Sequence, residues 1–235
     1  IDAKKDLSIQ IHPDDDYALE IENEFGKNEM WYVVDCEPGA FLYCGLKKDS
    51  SKEEIRERIE NNTITDILNK IEVHKGDCVM VKAGTIHAIG AGILICEIQQ
   101  NSNCTYRMYD YDRKDKFGNK RELHIDKAID VVDVKKYKPF ISDNKDVPEG
   151  AEVLVSCKYF ECYKYVLGSD AAEADHASDI EDNCYNTENV RNTGKVNISV
   201  DAMSFRSVIV IDGSGKIAVG NNTMDYKAGD SFFVT

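Results

Sequence analysis

Between Leu7 and Ile11 apolar residues (Leu7, Ile9, Ile11) alternate with polar ones (Ser8, Gln10), which is the period of a strand. Trp31-Tyr32-Val33-Val34 reads as a second strand. It stops at the turn signal Glu37-Pro38-Gly39, and Ala40–Gly45 reads as a third. Cys78–Val81 and Ile93–Ile98 continue the series. Ser51-x-x-Glu54 is a capping box, and Ile55/Ile59 and Ile67/Ile71 are each four apart, so the spacing predicts two short helices, over 51–61 and 65–71. Short strands punctuated by Gly and Pro predict a mainly β, antiparallel sandwich or barrel.

The pattern recurs. Val33-Val34-Asp35 and the later turn His74-Lys75-Gly76-Asp77 have counterparts in Val210-Ile211-Asp212 and Lys227-Ala228-Gly229-Asp230. Two related β units are therefore expected. The first spans 1–138 and the second 151–235, with a linker at 139–150 around Pro139 and Pro148. Aligning the repeats pairs Glu29 with the neighbourhood of Phe205 and finds no His opposite Gln10 and His12, so the second unit is expected to be metal-free. The stretch 169–197 is acidic and poor in large apolar residues, and reads as an exposed loop. The chain opens on Ile1 and closes on the apolar Ser231–Val234, so both ends read as cut, with the N-terminal part of the first unit missing.

Charge narrows the partners. The 235 residues carry 29 Lys and Arg against 43 Asp and Glu, a formal net charge of −14, which disfavours nucleic acid and anionic membranes. A small anionic substrate needs only a few local cations. No apolar run approaches the roughly 20 residues of a bilayer span. The eight cysteines form no C-x-x-C pair and sit partly in strand-like runs, as expected of reduced thiols in a cytoplasmic protein.

Gln10 and His12 share one face of their strand. Glu29 opens the next strand, and His87 follows the turn Lys82-Ala83-Gly84-Thr85-Ile86. Two imidazoles, a carboxylate and a neutral amide oxygen make a divalent site with room for water or substrate. Zn²⁺ is the first choice, with Fe²⁺, Mn²⁺ and Co²⁺ as alternatives. Singly, a strand His more often packs or hydrogen-bonds than ligates; the joint pattern raises the metal reading.

At these residues the chain resembles a known family. LSIQIHPDDDYA (7–18), GKNEMWYVVD (26–35), GDCVMVKAGTIHAIGAGILICEIQQNSNCTYRMYDYDR (76–113) and RELHIDKA (121–128) are similar to type I mannose-6-phosphate isomerases of the short bacterial and archaeal form. The resemblance is dense over 7–138 and reduced to the second-cupin pattern over 150–235. It implies cupin barrels (double-stranded β-helix, jelly roll), one zinc ion, and interconversion of mannose 6-phosphate and fructose 6-phosphate through a cis-enediol. It implies Gln10, His12, Glu29 and His87 as metal ligands, and Arg107, Glu97 and Lys27 as the catalytic and substrate-binding set. Glu97 and Lys27 stand as alternative general bases, and Arg107 would hold phosphate or enediolate. A surface pairing of Arg107 with Asp110 or Asp112 is the bland alternative. The family carries a further N-terminal segment, and usually Asn-Ser-Asp where this chain has Asn101-Ser102-Asn103. An Fe²⁺ cupin oxygenase or dehydratase and a cupin that binds sugar phosphate without turnover are the rival readings. Oligomeric state is left between monomer and weak dimer.

Overall fold

The computed structural model describes residues 1–142, 147–168, 194–200 and 204–235; most of the acidic stretch expected at 169–197 lies outside them. The described residues form two units, which divide at 166/167. In the first, β1 (Asp2–Ala3), β2 (Ile9–Ile11), α1 (Asp15–Ile21), β3 (Glu29–Cys36), β4 (Phe41–Leu46), α2 (Lys52–Glu60), β5 (Leu68–Glu72), β6 (Cys78–Val81), β7 (His87–Ile89), β8 (Ile93–Gln99), β9 (Tyr106–Tyr109), α3 (Ile125–Val131), β10 (Ala151–Ser156) and β11 (Glu161–Tyr165) follow in order. The strands up to β9 form two antiparallel sheets, β1-β8-β3-β6 and β5-β4-β7-β2-β9.

The period of two sorts these side chains into layers. Trp31, Val33, Val81, Ile93 and Ile95 of the four-stranded sheet meet Leu42, Cys44 and Ile89 of the five-stranded sheet in a core between the sheets. The opposite face of the five-stranded sheet, through Ile9, Ile11, Ala88, Tyr106 and Met108, packs on Ile55 and Ile59 of α2 and on Ala128 and Ile129 of α3. The opposite face of the four-stranded sheet, through Met30 and Met80, packs on Leu154 and Val155 of the β10–β11 hairpin. That hairpin, assigned in the sequence to the second segment, packs here within the first unit. Truncating a fully buried residue of these layers such as Ile55 is a cost of about 2–5 kcal/mol.

The helix expected at 51–61 is α2, with Ser51 Oγ accepting the Glu54 N–H at 3.1 Å as its cap. The helix expected at 65–71 is not present: Ile64–Ile67 is one 3₁₀ turn and Leu68–Glu72 is the strand β5. Leu42 and Tyr43 of β4 pair with Ile71 and Lys70, and that ladder outweighs a local four-residue spacing.

The second unit contains β12 (Arg206–Ile209), β13 (Ser214–Val219), β14 (Asn222–Lys227) and β15 (Ser231–Val234), with β12 paired to β15 and β13 to β14. It repeats one construction of the first. The Asp77 carboxylate accepts the His74 N–H at 2.7 Å, and the Asp230 carboxylate accepts the Lys227 N–H at 2.9 Å. Gly76 donates to the Val33 carbonyl and Gly229 to the Val210 carbonyl, both at 2.8 Å. The strand registers agree as well: Glu29 faces Val81, and Arg206 faces Val234. The counterpart of Glu29 is thus Arg206, one residue beyond the Phe205 aligned from sequence.

Candidate metal centre

Alternation that sends Ile9 and Ile11 toward the helices turns Gln10 inward, and His12 follows on the same face. Gln10 is opposite His87 of β7 on one side and Arg107 of β9 on the other. In β3 the same rule turns Glu29 and Trp31 inward, and Trp31 is opposite Glu97 of β8. Six of the seven residues singled out in the sequence (Gln10, His12, Lys27, Glu29, His87 and Glu97) are thus linked by close contacts between the sheets, while Arg107 is placed beside Gln10 by strand register alone. Gly26 allows the approach of the Lys27–Glu29 segment, because a Cβ there would stand 2.4 Å from the backbone carbon of Asp14.

Three of these side chains form a buried cluster: His12, Glu29 and His87 are 1 %, 0 % and 0 % exposed. His12 Nε2 is 3.3 Å from Glu29 Oε2, and His87 Nε2 is 3.4 Å from Glu29 Oε1. Both rings donate Nδ1–H to a backbone carbonyl at 2.8 Å, His12 to Cys104 and His87 to Thr85. A neutral ring so held points its Nε2 lone pair at the carboxylate. Burial pushes the His87 imidazole down to about 4, which keeps it neutral at pH 7. His12 Nε2 and Glu29 Oε1 are buried without a hydrogen-bond partner among the described residues, and Glu29 Oε2 has the Lys27 ammonium beside it. The side-chain amide of Gln10 lies 3.4 Å from His87 Nε2, and turning it over presents its oxygen.

Acceptors that converge with one ammonium among them fit a further cation. Ligand atoms at about 2.0–2.1 Å from a tetrahedral divalent ion stand about 3.4 Å apart; each imidazole here is at about that distance from one oxygen of Glu29, and the ligand atoms all lie within 4.8 Å of one another. Lys27 supplies part of the missing charge in the protein alone, with Nζ 2.7 Å from Glu29 Oε2 and 3.5 Å from Glu97 Oε1. Burial works to raise the Glu29 carboxyl, but contact with His12 and the charges of His87, His12 and Lys27 hold it well below the usual range. Glu97 goes the other way, raised by burial and then by the Glu29 charge, although Lys27 and the Trp31 N–H oppose the rise. Trp31 Nε1 donates to Glu97 Oε2 at 3.2 Å.

Arg107 makes no ion pair with Asp110 or Asp112, so the surface alternative fails. Its Nη1 donates to the Glu122 carbonyl at 2.8 Å, and its Nε has no partner. Asp110 instead binds Arg113 and Arg121, and Asp112 pairs with Lys120. Burial lowers the Arg107 guanidinium first, and the charge of Arg121 lowers it further. Two guanidiniums on the Asp110 carboxylate, with Arg107 close enough to feel the charge of both, make a cluster of cations in an acidic chain. The sequence reading missed Arg113, Arg121 and the orienting role of Trp31. It also missed Asn28, although its position between Lys27 and Glu29 was a signal.

No protein-family model matches the chain. The chain is 44 % identical over 180 residues to the probable mannose-6-phosphate isomerase GmuF of Bacillus subtilis strain 168, covering 73 % of this chain and 55 % of that protein. It is 46 % identical over 169 residues to the mannose-6-phosphate isomerase of Streptococcus mutans (serotype c, strain ATCC 700610 / UA159), covering 71 % and 53 %. The chain thus spans about half the length of these curated relatives. The crystal structure of a mannose 6-phosphate isomerase from Bacillus subtilis matches with a TM-score of 0.73 at 32 % identity, over 98 % of this chain and 66 % of that one. Sequence and fold together make this chain a member of the type I mannose-6-phosphate isomerase family, within the cupin superfamily.

Proposed function

We propose that this chain forms the catalytic core of a zinc-dependent aldose–ketose isomerase that interconverts mannose 6-phosphate and fructose 6-phosphate. The observation that carries the reading is the buried His12–Glu29–His87 cluster, three acceptors facing one another in a chain of this family. Gln10 is the proposed fourth ligand. Two imidazoles, a carboxylate and an amide oxygen, with no thiolate, suit one Zn²⁺ per chain. When bound, the ion supplies Lewis-acid polarisation of the substrate's carbonyl and hydroxyl oxygens.

The chain's own residues supply the rest. Glu97 is the proposed base: it takes the proton from C2 of the open-chain aldose, and the freed pair forms the C1–C2 double bond of the cis-enediol. The carbonyl oxygen O1 takes a proton from Lys27 in that step; Glu97 then returns its proton to C1 while the C2 hydroxyl gives its proton back to Lys27, and the electron pair left on that oxygen closes the C2 carbonyl of the ketose. The Trp31 N–H fixes one oxygen of Glu97 and leaves the other toward Lys27, which supports an oriented carboxylate. Lys27, between two carboxylates, is the proposed donor to the substrate oxygen rather than the base. Arg107, with an unpartnered Nε, is proposed to hold the phosphate or the enediolate.

None of the described helices is long and apolar enough to cross a membrane. All seven described cysteines are free, which supports a reducing, cytoplasmic setting. The test is a coupled assay of fructose 6-phosphate formation from mannose 6-phosphate, with wild type and Glu97→Gln. The account expects turnover in the first and a loss of at least about 100-fold in the second. Sugar-phosphate binding with no turnover by the wild type would favour a binding cupin instead.

A further inference from the structure

We propose that Asn28 is a positioning residue for the metal centre: its side chain sets the spacing between Glu29 and His87. The inference rests on the metal reading of the cluster. Asn28 stands where two ladders end, since Glu29 is the last β3 residue paired to Val81 of β6 and to Gln99 of β8. Beyond that point its side chain adds to the backbone pairing. Asn28 Oδ1 accepts the Ala83 N–H at 3.0 Å, which fixes the turn that delivers His87. Asn28 Nδ2 and its backbone N–H both donate to Gln100 Oε1 at 2.8 Å, and its carbonyl accepts the Gln100 N–H at 3.0 Å. The residue is 9 % exposed, and each of its polar groups is engaged.

The next residue of the same turn is tied to a second ligand, because Gly84 donates to the His12 carbonyl at 2.9 Å. Consecutive N–H groups ahead of His87 are thus held by the neighbour of Glu29 and by His12 itself. Gln100 is held from behind by Asp15, whose Oδ1 accepts both Gln100 Nε2 and the Gly26 N–H at 3.0 Å. Asp15 Oδ2 accepts the Tyr159 hydroxyl at 2.8 Å. A donor set must be held within about 0.5 Å to keep its geometry, and second-layer hydrogen bonds of this kind do that work. Asn28 touches none of the three ligand side chains' donor atoms, so its effect passes through the backbone it pins.

Co²⁺ is the probe, because its absorption bands report ligand geometry independently of turnover. The purified protein is stripped of metal, titrated with Co²⁺ and scanned, for wild type, Asn28→Ala and Tyr159→Phe. Asn28→Ala is expected to weaken Co²⁺ binding roughly 10–100-fold and to shift the visible bands. Tyr159→Phe, at the far end of the chain of hydrogen bonds, is expected to stay within about twofold of wild type, as a peripheral contact. Should Asn28→Ala not fold, Gln100→Met, which removes the group that holds Asn28, carries the same expectation. A folded variant with wild-type affinity and spectrum overturns the role of Asn28. Failure of the wild type itself to bind Co²⁺ overturns the metal reading, and this inference with it.

Discussion

His12 Nε2 stands 3.3 Å from Glu29 Oε2, while the same ring donates its Nδ1–H to the Cys104 carbonyl. In the neutral ring a lone pair therefore faces a carboxylate in a buried site, and Lys27 approaches only one of the two carboxylate oxygens. A cation between them removes that conflict. Zinc is expected to stabilise the folded protein by about 4 kcal/mol at a free concentration a thousandfold above its Kd. Thermal melts with and without zinc check this. His12→Ala should abolish most of the increase in Tm.

Lys27 is the partner that Glu29 has without metal, at 2.7 Å and 8 % exposed. Lys27→Met is expected to destabilise the metal-free protein by about 3–5 kcal/mol, because it leaves a buried carboxylate unpaired. Zinc supplies the missing charge, so the loss should be smaller in the loaded protein. Denaturant titrations of both forms measure the difference; equal losses would contradict a shared role for Lys27 and the ion.

Arg107 offers an unpartnered Nε beside the Arg113–Asp110–Arg121 group. Arg107→Gln should lower kcat/KM for mannose 6-phosphate by roughly 10²–10³ and leave zinc affinity unchanged. If phosphate is its main contact, the loss appears chiefly in KM. If it stabilises the enediolate, the loss appears in kcat. Steady-state kinetics separates the two.

Asp110 is 6 % exposed. Burial works to raise its carboxyl, but hydrogen bonds from Arg121 and then Arg113 outweigh that and hold it below the usual value. A depressed carboxyl contributes stability that is full above its unfolded value and is lost as pH falls through the folded one. Asp110→Asn should therefore lower Tm at neutral pH, and its deficit should shrink as pH falls below about 4. Melting curves across pH 2.5 to 7 test the sign; a deficit that grows in acid would contradict it.

The period of two made most of the site legible. It put Gln10 and His12 on one face, and the strand opened by Glu29 is β3. What stayed hidden depended on distant partners. Ile67 and Ile71 fit a helix locally, and only pairing with β4 makes Ile71 part of a strand. β2 ends at Ile11, before Pro13, and the helix α1 that follows, capped by Asp14 accepting the Tyr17 N–H at 3.0 Å, is not among the helices expected from the sequence. Asn28 and Gln100 are 72 residues apart, so no window of sequence shows their bond. Arg121 meets Asp110 across a turn closed by Asp115, which accepts the N–H groups of Phe117 and Asn119, and no periodicity announces that geometry.

The measurement that bears most directly on the account is mannose 6-phosphate isomerisation before chelation, after chelation, and after return of one equivalent of Zn²⁺, with metal content determined at each stage. The account predicts about one zinc per chain at the start, activity that disappears with the metal, and recovery on its return, all absent in His87→Ala. Full activity in protein shown to be free of metal would contradict it.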